Sequence, residues 1–264
     1  MSNNYRLFVI TGASSGIGAE YARQLAAAGY DLVLVARRRS RLDALAQQIE
    51  ADYSVSVAVH PADLTHPPDV ERLAEFIRLQ SHLYGLVNNA GFGTQGSYAE
   101  APLAPQLQML DVHVRATMIL CRAALPRLEE RGKGVIINVS SVAAFLPAAG
   151  NTTYSATKAF LSTFSRGLAV ELRHTDIRVQ AVCPGFTRTE FHDTDEYADF
   201  DRGRVPAPMW MTSQQVVRAS LRALETEKVI VIPGLRYKLM IAMLRVPGLP
   251  RLARLARRAL KMGR

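Results

Sequence analysis

The chain has 264 residues, 48% hydrophobic and 21% charged, enough apolar material for the core of one large α/β domain without a metal or disulfide staple. Its two cysteines, Cys121 and Cys183, have no CxxC or Cys/His partner, which points to buried thiols in a reducing, cytoplasmic compartment. The net charge of +9 belongs to one end: from Lys228 onward there are ten Lys or Arg and no acid, so residues 1–227 sum to −1, which argues against a nucleic-acid-binding face on the body.

The polar start, Met1 to Arg6, has no secretory leader pattern, and no apolar run reaches the roughly 20 residues of a membrane-spanning helix. Apolar runs then recur in chain order at Leu7–Ile10, Leu32–Val35, Val55–Val59, Leu86–Val87, Val135–Ile137, Val179–Val182 and Val229–Ile232. Near-continuous Val, Ile and Leu is the pattern of strands buried on both faces, as in parallel sheets. Helical periodicity fills the gaps at 17–28, 40–51, 68–80, 103–130, 153–173 and 213–225, and 186–212 is the least regular stretch. Strict alternation predicts a doubly wound α/β fold with a mostly parallel seven-stranded sheet flanked by helices. Residues 1–232 form the expected catalytic and nucleotide-binding body, and 233–264 a basic extension of the same domain.

Directly after the first strand comes Thr11-Gly12-Ala13-Ser14-Ser15-Gly16-Ile17-Gly18, and a helix follows. Glycines allow a tight turn and close backbone approach to a pyrophosphate, and the helix N-terminus supplies N–H groups and a positive dipole end. The whole stretch from Gly12 through Ser14, Ser15, Gly16, Ile17 and Gly18 is therefore a dinucleotide loop of GxxxGxG spacing, and no Lys-Ser/Thr follows to make a P-loop. The second strand ends Val35-Ala36-Arg37-Arg38, where NAD sites usually carry an acid for the ribose hydroxyls. Arg37 and Arg38 would instead pair with a 2′-phosphate, so the cofactor expected is NADP(H).

Tyr154-Ser155-Ala156-Thr157-Lys158 sets a Tyr and a Lys on one helical face. An ammonium near a phenol favours the phenolate, which would lower the Tyr pKa from about 10 and suit proton exchange with an alcohol. With 27 Arg and only five Lys in the chain, a Lys here points to a need for an ammonium. Ser141, thirteen residues before Tyr154, ends a strand on the side where ligands bind in such sheets, with Ser140 as its rival.

These segments, with Asp63-Leu64, Asn88-Asn89-Ala90-Gly91 and Pro184-Gly185-Phe186-Thr187, make the sequence resemble the short-chain dehydrogenases/reductases over essentially its whole length. The resemblance implies a Rossmann enzyme, homodimeric or homotetrameric, acting on a small-molecule carbonyl or alcohol through Ser141, Tyr154 and Lys158. It further implies that Asp63 and Leu64 meet the adenine, that Asn89, Ala90 and Gly91 pass beside the cofactor, and that Pro184, Gly185, Thr187 and Thr189 lie on the nicotinamide side. Tyr154 and Lys158 would also contact the cofactor, Lys158 at the nicotinamide ribose. One position departs from the family: 28 residues before Ser141, where an Asn usually helps hold a proton-relay water, stands His113, which implies a rewired relay. The other histidines show no metal-ligand spacing, and no metal is expected.

Phe92, Phe145, Phe186, Met209, Trp210 and Met211 are the candidate apolar lining of a substrate pocket. A non-catalytic NADP-binding sensor or scaffold is the alternative to an enzyme, and a methyltransferase would share the sheet without needing the Tyr/Lys pair. In the tail, 235–246 and 250–262 read as helices, the second with Leu252, Leu255, Ala256, Ala259 and Leu260 on one face and Arg or Lys on the rest. Such a helix either packs on the body or a second subunit, or makes weak peripheral contact with an anionic membrane.

Overall fold

Residues 6–194, 197 and 200–244 are described by a computed structural model. Six of the apolar runs become β1 (Leu7–Thr11), β2 (Asp31–Ala36), β3 (Val57–Pro61), β4 (Leu83–Asn88), β5 (Lys133–Val139) and β6 (Asp176–Val182). Two short strands follow, β7 (Thr187–Arg188) and β8 (Met211–Thr212), and β9 (Ile230–Val231) completes the main sheet. That sheet has seven strands in the order β3-β2-β1-β4-β5-β6-β9, and every pair in it is parallel. The third strand begins two residues later than its apolar run: the turn after Asp52 consumes Tyr53–Val55, and the ladder pairs Leu32 with Val57.

Period-2 alternation sends neighbouring side chains to opposite faces, and both faces are covered. Phe8, Ile10, Leu32 and Leu34 pack under α1 (Gly16–Ala27), α2 (Arg39–Asp52) and, further along the chain, α7 (Ser213–Ala223). Val9, Val33, Leu86 and Ile136 pack under α3 (Pro67–Arg78), α5 (Thr117–Arg131) and α6 (Thr152–Glu171). Each Val, Leu or Ile so buried contributes about 1.5–3 kcal/mol. The sheet order reverses between β1 and β4, which opens a crevice beyond their carboxyl ends, the place where sheets of this kind hold ligands.

The long middle helix predicted over 103–130 is interrupted. It runs as α4 (Leu103–Leu110), a π-helical turn at Asp111–Ala116, and α5, ended by Gly132 at φ 73°. The extra residue per turn in a π segment widens the helix locally, and such turns often sit at functional sites. This one carries His113. At the other end of the chain, α8 (Leu235–Leu244) forms the first part of the extension and buries Tyr237 and Ile241 on the body. The second predicted tail helix lies outside the described residues.

Candidate active site

The glycine loop joins β1 to α1 and is built against the end of β4. Gly12 and Gly16 have φ of 65° and 57°, in the region that favours glycine. A Cβ on Gly12 would lie 2.7 Å from the Ala90 Cα, so the loop and the Asn89-Ala90 segment fit only without side chains between them. Asn89 fastens the two: its Nδ2 donates to the Thr11 and Gly12 carbonyls at 3.0 and 3.1 Å, while the Thr11 hydroxyl accepts from the backbone N–H groups of Asn89 and Ala90. Ser15 precedes α1 without a side-chain cap bond, and the first turn holds no acid, so the helix N-terminus keeps its affinity for an anion.

The arginines that leave β2 diverge. Arg37 points outward, 72% exposed, 4.0 Å from Asp63 Oδ2. Arg38 folds back over the glycine loop and donates from Nε and Nη2 to the Ser14 hydroxyl, at 3.1 and 2.8 Å, and from Nη2 to the Ser15 hydroxyl at 2.9 Å. Arg41, one turn into α2, joins it: both guanidinium groups hold the Glu190 carboxylate. Asp63 accepts from the Thr65 N–H and hydroxyl, and Leu64 is buried in the core.

Ser141, Tyr154 and Lys158 come together at the carboxyl end of β5. Ser140 and Ser141, adjacent at the strand exit, face opposite ways. The Ser140 hydroxyl donates to the Lys158 carbonyl at 2.7 Å and so docks α6 onto the sheet. The Ser141 hydroxyl caps the following turn by accepting from Ala143 N–H at 3.1 Å and also faces the Tyr154 hydroxyl. Burial pushes the Tyr154 phenol up to about 12, and the hydrogen bond from Ser141 offsets part of this rise. The direction is opposite to that expected from the Tyr/Lys spacing, because burial dominates. The Lys158 Nζ donates to the Val139 carbonyl at 2.9 Å and lies 5.6 Å from the Tyr154 ring centroid. Lys158 is 4% exposed, and burial lowers its ammonium to about 7.

His113 is buried beside this set, its ring edge-on to Tyr154 at 5.9 Å. Nε2 accepts from the Phe92 N–H at 3.3 Å, which leaves Nδ1 as the protonated nitrogen, donating to the Thr157 hydroxyl at 2.9 Å. Thr157 in turn donates to the Tyr154 carbonyl at 2.8 Å. Burial and the charge of Lys158 hold the imidazole well below its usual pKa, so it stays neutral. Both ring nitrogens thus have protein partners, and the ring braces the Gly91-Phe92 loop against α6. His113→Asn is expected to keep turnover within about tenfold while costing about 1–2 kcal/mol of stability, because the shorter amide cannot span both partners. Turnover and denaturant melts check this; a severe rate loss at unchanged stability would instead give His113 a chemical duty.

The segment after β6 closes over the site. Pro184 accepts from Val142 N–H, and the Thr187 hydroxyl donates to the Gly185 carbonyl. The Thr189 methyl rests on Gly16, 3.0 Å from where a Cβ would sit. Tyr237 of α8 lies flat against Gly185; its hydroxyl donates to the Met209 carbonyl at 2.6 Å and accepts from Phe186 N–H at 2.9 Å. Phe186, Phe191, His192, Tyr197, Phe200 and Trp210 form one aromatic group, with Phe191 5.8 Å from the Tyr154 ring. Of the six pocket residues expected from sequence, Phe186 and Trp210 belong to it. Phe92 instead packs on the core, as does Met211 in β8.

A family model described as short chain dehydrogenase matches residues 6–198. The chain belongs to the short-chain dehydrogenase family. Among solved members, a short-chain dehydrogenase from Sphingobium yanoikuyae in complex with NADPH is 35% identical, with a TM-score of 0.81 over 97% of this chain and 95% of that one. The bulky-bulky ketone specific alcohol dehydrogenase from Comamonas testosteroni is 33% identical, with a TM-score of 0.78 over 98% of this chain and 95% of its own. The very-long-chain 3-oxoacyl-CoA reductase-A of Danio rerio is 36% identical over 193 residues, which are 69% of this chain and 58% of that protein. The chain therefore spans less than two thirds of that relative.

Several residues at the site escaped the sequence reading. Arg41 stood in a run of basic residues with nothing to separate it from Arg39, although it lies about one turn after Arg38, the residue that precedes α2. Glu190 directly follows an expected site residue, Thr189, but its partners lie 149 and 152 residues away. Tyr237, Thr157, Phe191 and His192 likewise carried no local signal.

Proposed function

We propose that the protein is an NADP(H)-dependent oxidoreductase that interconverts a carbonyl and its alcohol on a bulky apolar substrate. The observation that carries the reading is the meeting of the Ser141 and Tyr154 hydroxyls at the end of β5, with Lys158 one turn along α6 and its Nζ 3.5 Å from where a Cβ on Gly91 would sit. The residues present fit the dinucleotide: a glycine loop, a helix N-terminus free of acids, and Arg38, joined by Arg41, just past the strand end where NAD sites usually place a carboxylate. The resemblance to the NADPH complex of the Sphingobium enzyme supports the same cofactor. Bound nicotinamide would supply or accept the hydride. Ser141 would hold the substrate oxygen, and Tyr154 would give it a proton, which its raised pKa keeps in place at neutral pH. Lys158 would anchor the nicotinamide ribose. The aromatic group around Phe191 would form the apolar wall, in keeping with the bulky ketones named for the Comamonas relative.

Turnover of NADPH carrying deuterium at the transferred position, over small ketones, bulky aryl and alicyclic ketones and long-chain 3-oxoacyl thioesters, tests the reading. Label should appear on the product carbinol carbon, with bulky substrates preferred. Tight NADPH binding without turnover on any member would favour the sensor. NADPH is expected to bind at least about tenfold tighter than NADH. Arg38→Ala should erode that preference more than Arg37→Ala, since only Arg38 lies over the loop; equal affinities in the wild type would overturn the assignment.

A further inference from the structure

We infer that Glu190 is an internal competitor for the 2′-phosphate of NADP(H), holding Arg38 and Arg41 until the phosphate displaces it. The geometry is that of an anion site with an anion in it. Arg38 Nη1 holds Glu190 Oε2 at 3.0 Å, and Arg41 Nη1 reaches both carboxylate oxygens at 2.7 and 2.6 Å. Behind Arg38 stand the hydroxyls of Ser14 and Ser15, which fix its guanidinium over the glycine loop. Among the described residues, neighbouring arginines pair elsewhere: Arg37 faces Asp63, Arg39 faces Asp43, and Arg202 faces Asp193. The two arginines thus converge on one negative group, and that group arrives on the strap whose Thr189 rests on Gly16.

A carboxylate and a phosphate ester are both oxyanions that pair with guanidinium through charge-assisted bonds, and the doubly charged phosphate is the stronger partner. Glu190, Arg38 and Arg41 are all between 43% and 49% exposed, so water screens the pair and a phosphate can replace it. A cofactor without the 2′-phosphate has no group to exchange and leaves Glu190 where it is. Arg41 is accordingly a second phosphate ligand, and Glu190 sets how much affinity the phosphate yields.

The competition presupposes an NADP(H) site at the glycine loop, and the test separates the two ideas. Dissociation constants for NADPH and NADH are measured on the full chain and on Glu190→Gln and Glu190→Ala. Adenosine 2′-monophosphate and adenosine 5′-monophosphate are titrated in parallel by the fluorescence of Trp210, the chain's single tryptophan, which Arg202 contacts beside the strap. The expected result is that both variants bind NADPH and the 2′-monophosphate about two- to tenfold tighter, with NADH and the 5′-monophosphate unmoved. Weaker or unchanged NADPH binding would overturn the competition, and so would equal tightening of all four ligands, which would make Glu190 a general latch on the strap. Wild-type protein that does not distinguish NADPH from NADH would defeat the cofactor reading itself.

Discussion

Replacing Tyr154 by Phe is expected to lower carbonyl turnover about 10²–10⁴-fold, the usual cost of removing a general acid, while leaving NADPH affinity nearly unchanged. The substitution is clean because the ring, not the hydroxyl, makes the packing contacts, with His113 at 5.9 Å and Phe191 at 5.8 Å. Ser141 loses the phenol as a partner but still accepts from Ala143 N–H, so the turn after β5 stays held. With the phenol pushed up to about 12, the wild-type proton is in place throughout the neutral range, so the lost rate is the lost proton rather than a shifted pH profile. Single-turnover reduction beside fluorescence titration of NADPH separates the two quantities. A Phe variant that keeps the wild-type rate on its best substrate would remove Tyr154 from the chemistry, and one that loses cofactor affinity in proportion would make it a binding group.

The fold was legible because its physics is local. Strands buried on both faces must be apolar at consecutive positions, and β1, β2, β5 and β6 read that way; the helices between them bury one stripe and repeat every three to four residues. The glycine loop and the Tyr154/Lys158 pair were legible for the same reason, each being a few residues whose spacing fixes where their backbones lie. The π turn at Asp111–Ala116 left no trace, since one extra residue in a turn hardly disturbs the apolar periodicity on either side. Which arginine serves the loop could not be read from Ala36-Arg37-Arg38-Arg39, because the direction of each side chain depends on how β2 passes into α2. The rise in the Tyr154 pKa was missed because spacing does not show that the phenol is buried, nor that the Val139 carbonyl holds the Lys158 Nζ. The aromatic group over Tyr154 and the Glu190 contact depend on the path of 186–212, and long-range closure of this kind has no periodicity to betray it.

Replacing Lys158 by Met is expected to abolish turnover and at the same time stabilise the fold. The side chain is 4% exposed, and burial brings its ammonium from the ordinary 10.5 down to about 7. A shift of that size corresponds to about 5 kcal/mol of disfavoured charge below pH 7. Met has similar length and no charge, but it leaves the Val139 carbonyl without its donor, which costs about 1–3 kcal/mol. The net gain is about 2–4 kcal/mol, or roughly 5–10 °C in Tm for a domain of this size. Its pH dependence identifies the cause. Between pH 7 and 10.5 the unfolded chain binds a proton at Lys158 that the native state does not, so wild-type stability rises with pH through that window. The Met variant lacks the titration, and its advantage should be full below pH 7 and fade toward pH 10.5. On the proposed role of Lys158, turnover would fall because no ammonium would remain to hold the nicotinamide ribose beside Tyr154. Urea melts of both proteins at pH 6, 8 and 10 decide the matter: a Met variant less stable at pH 6, or a difference independent of pH, would show that the buried charge carries no such cost.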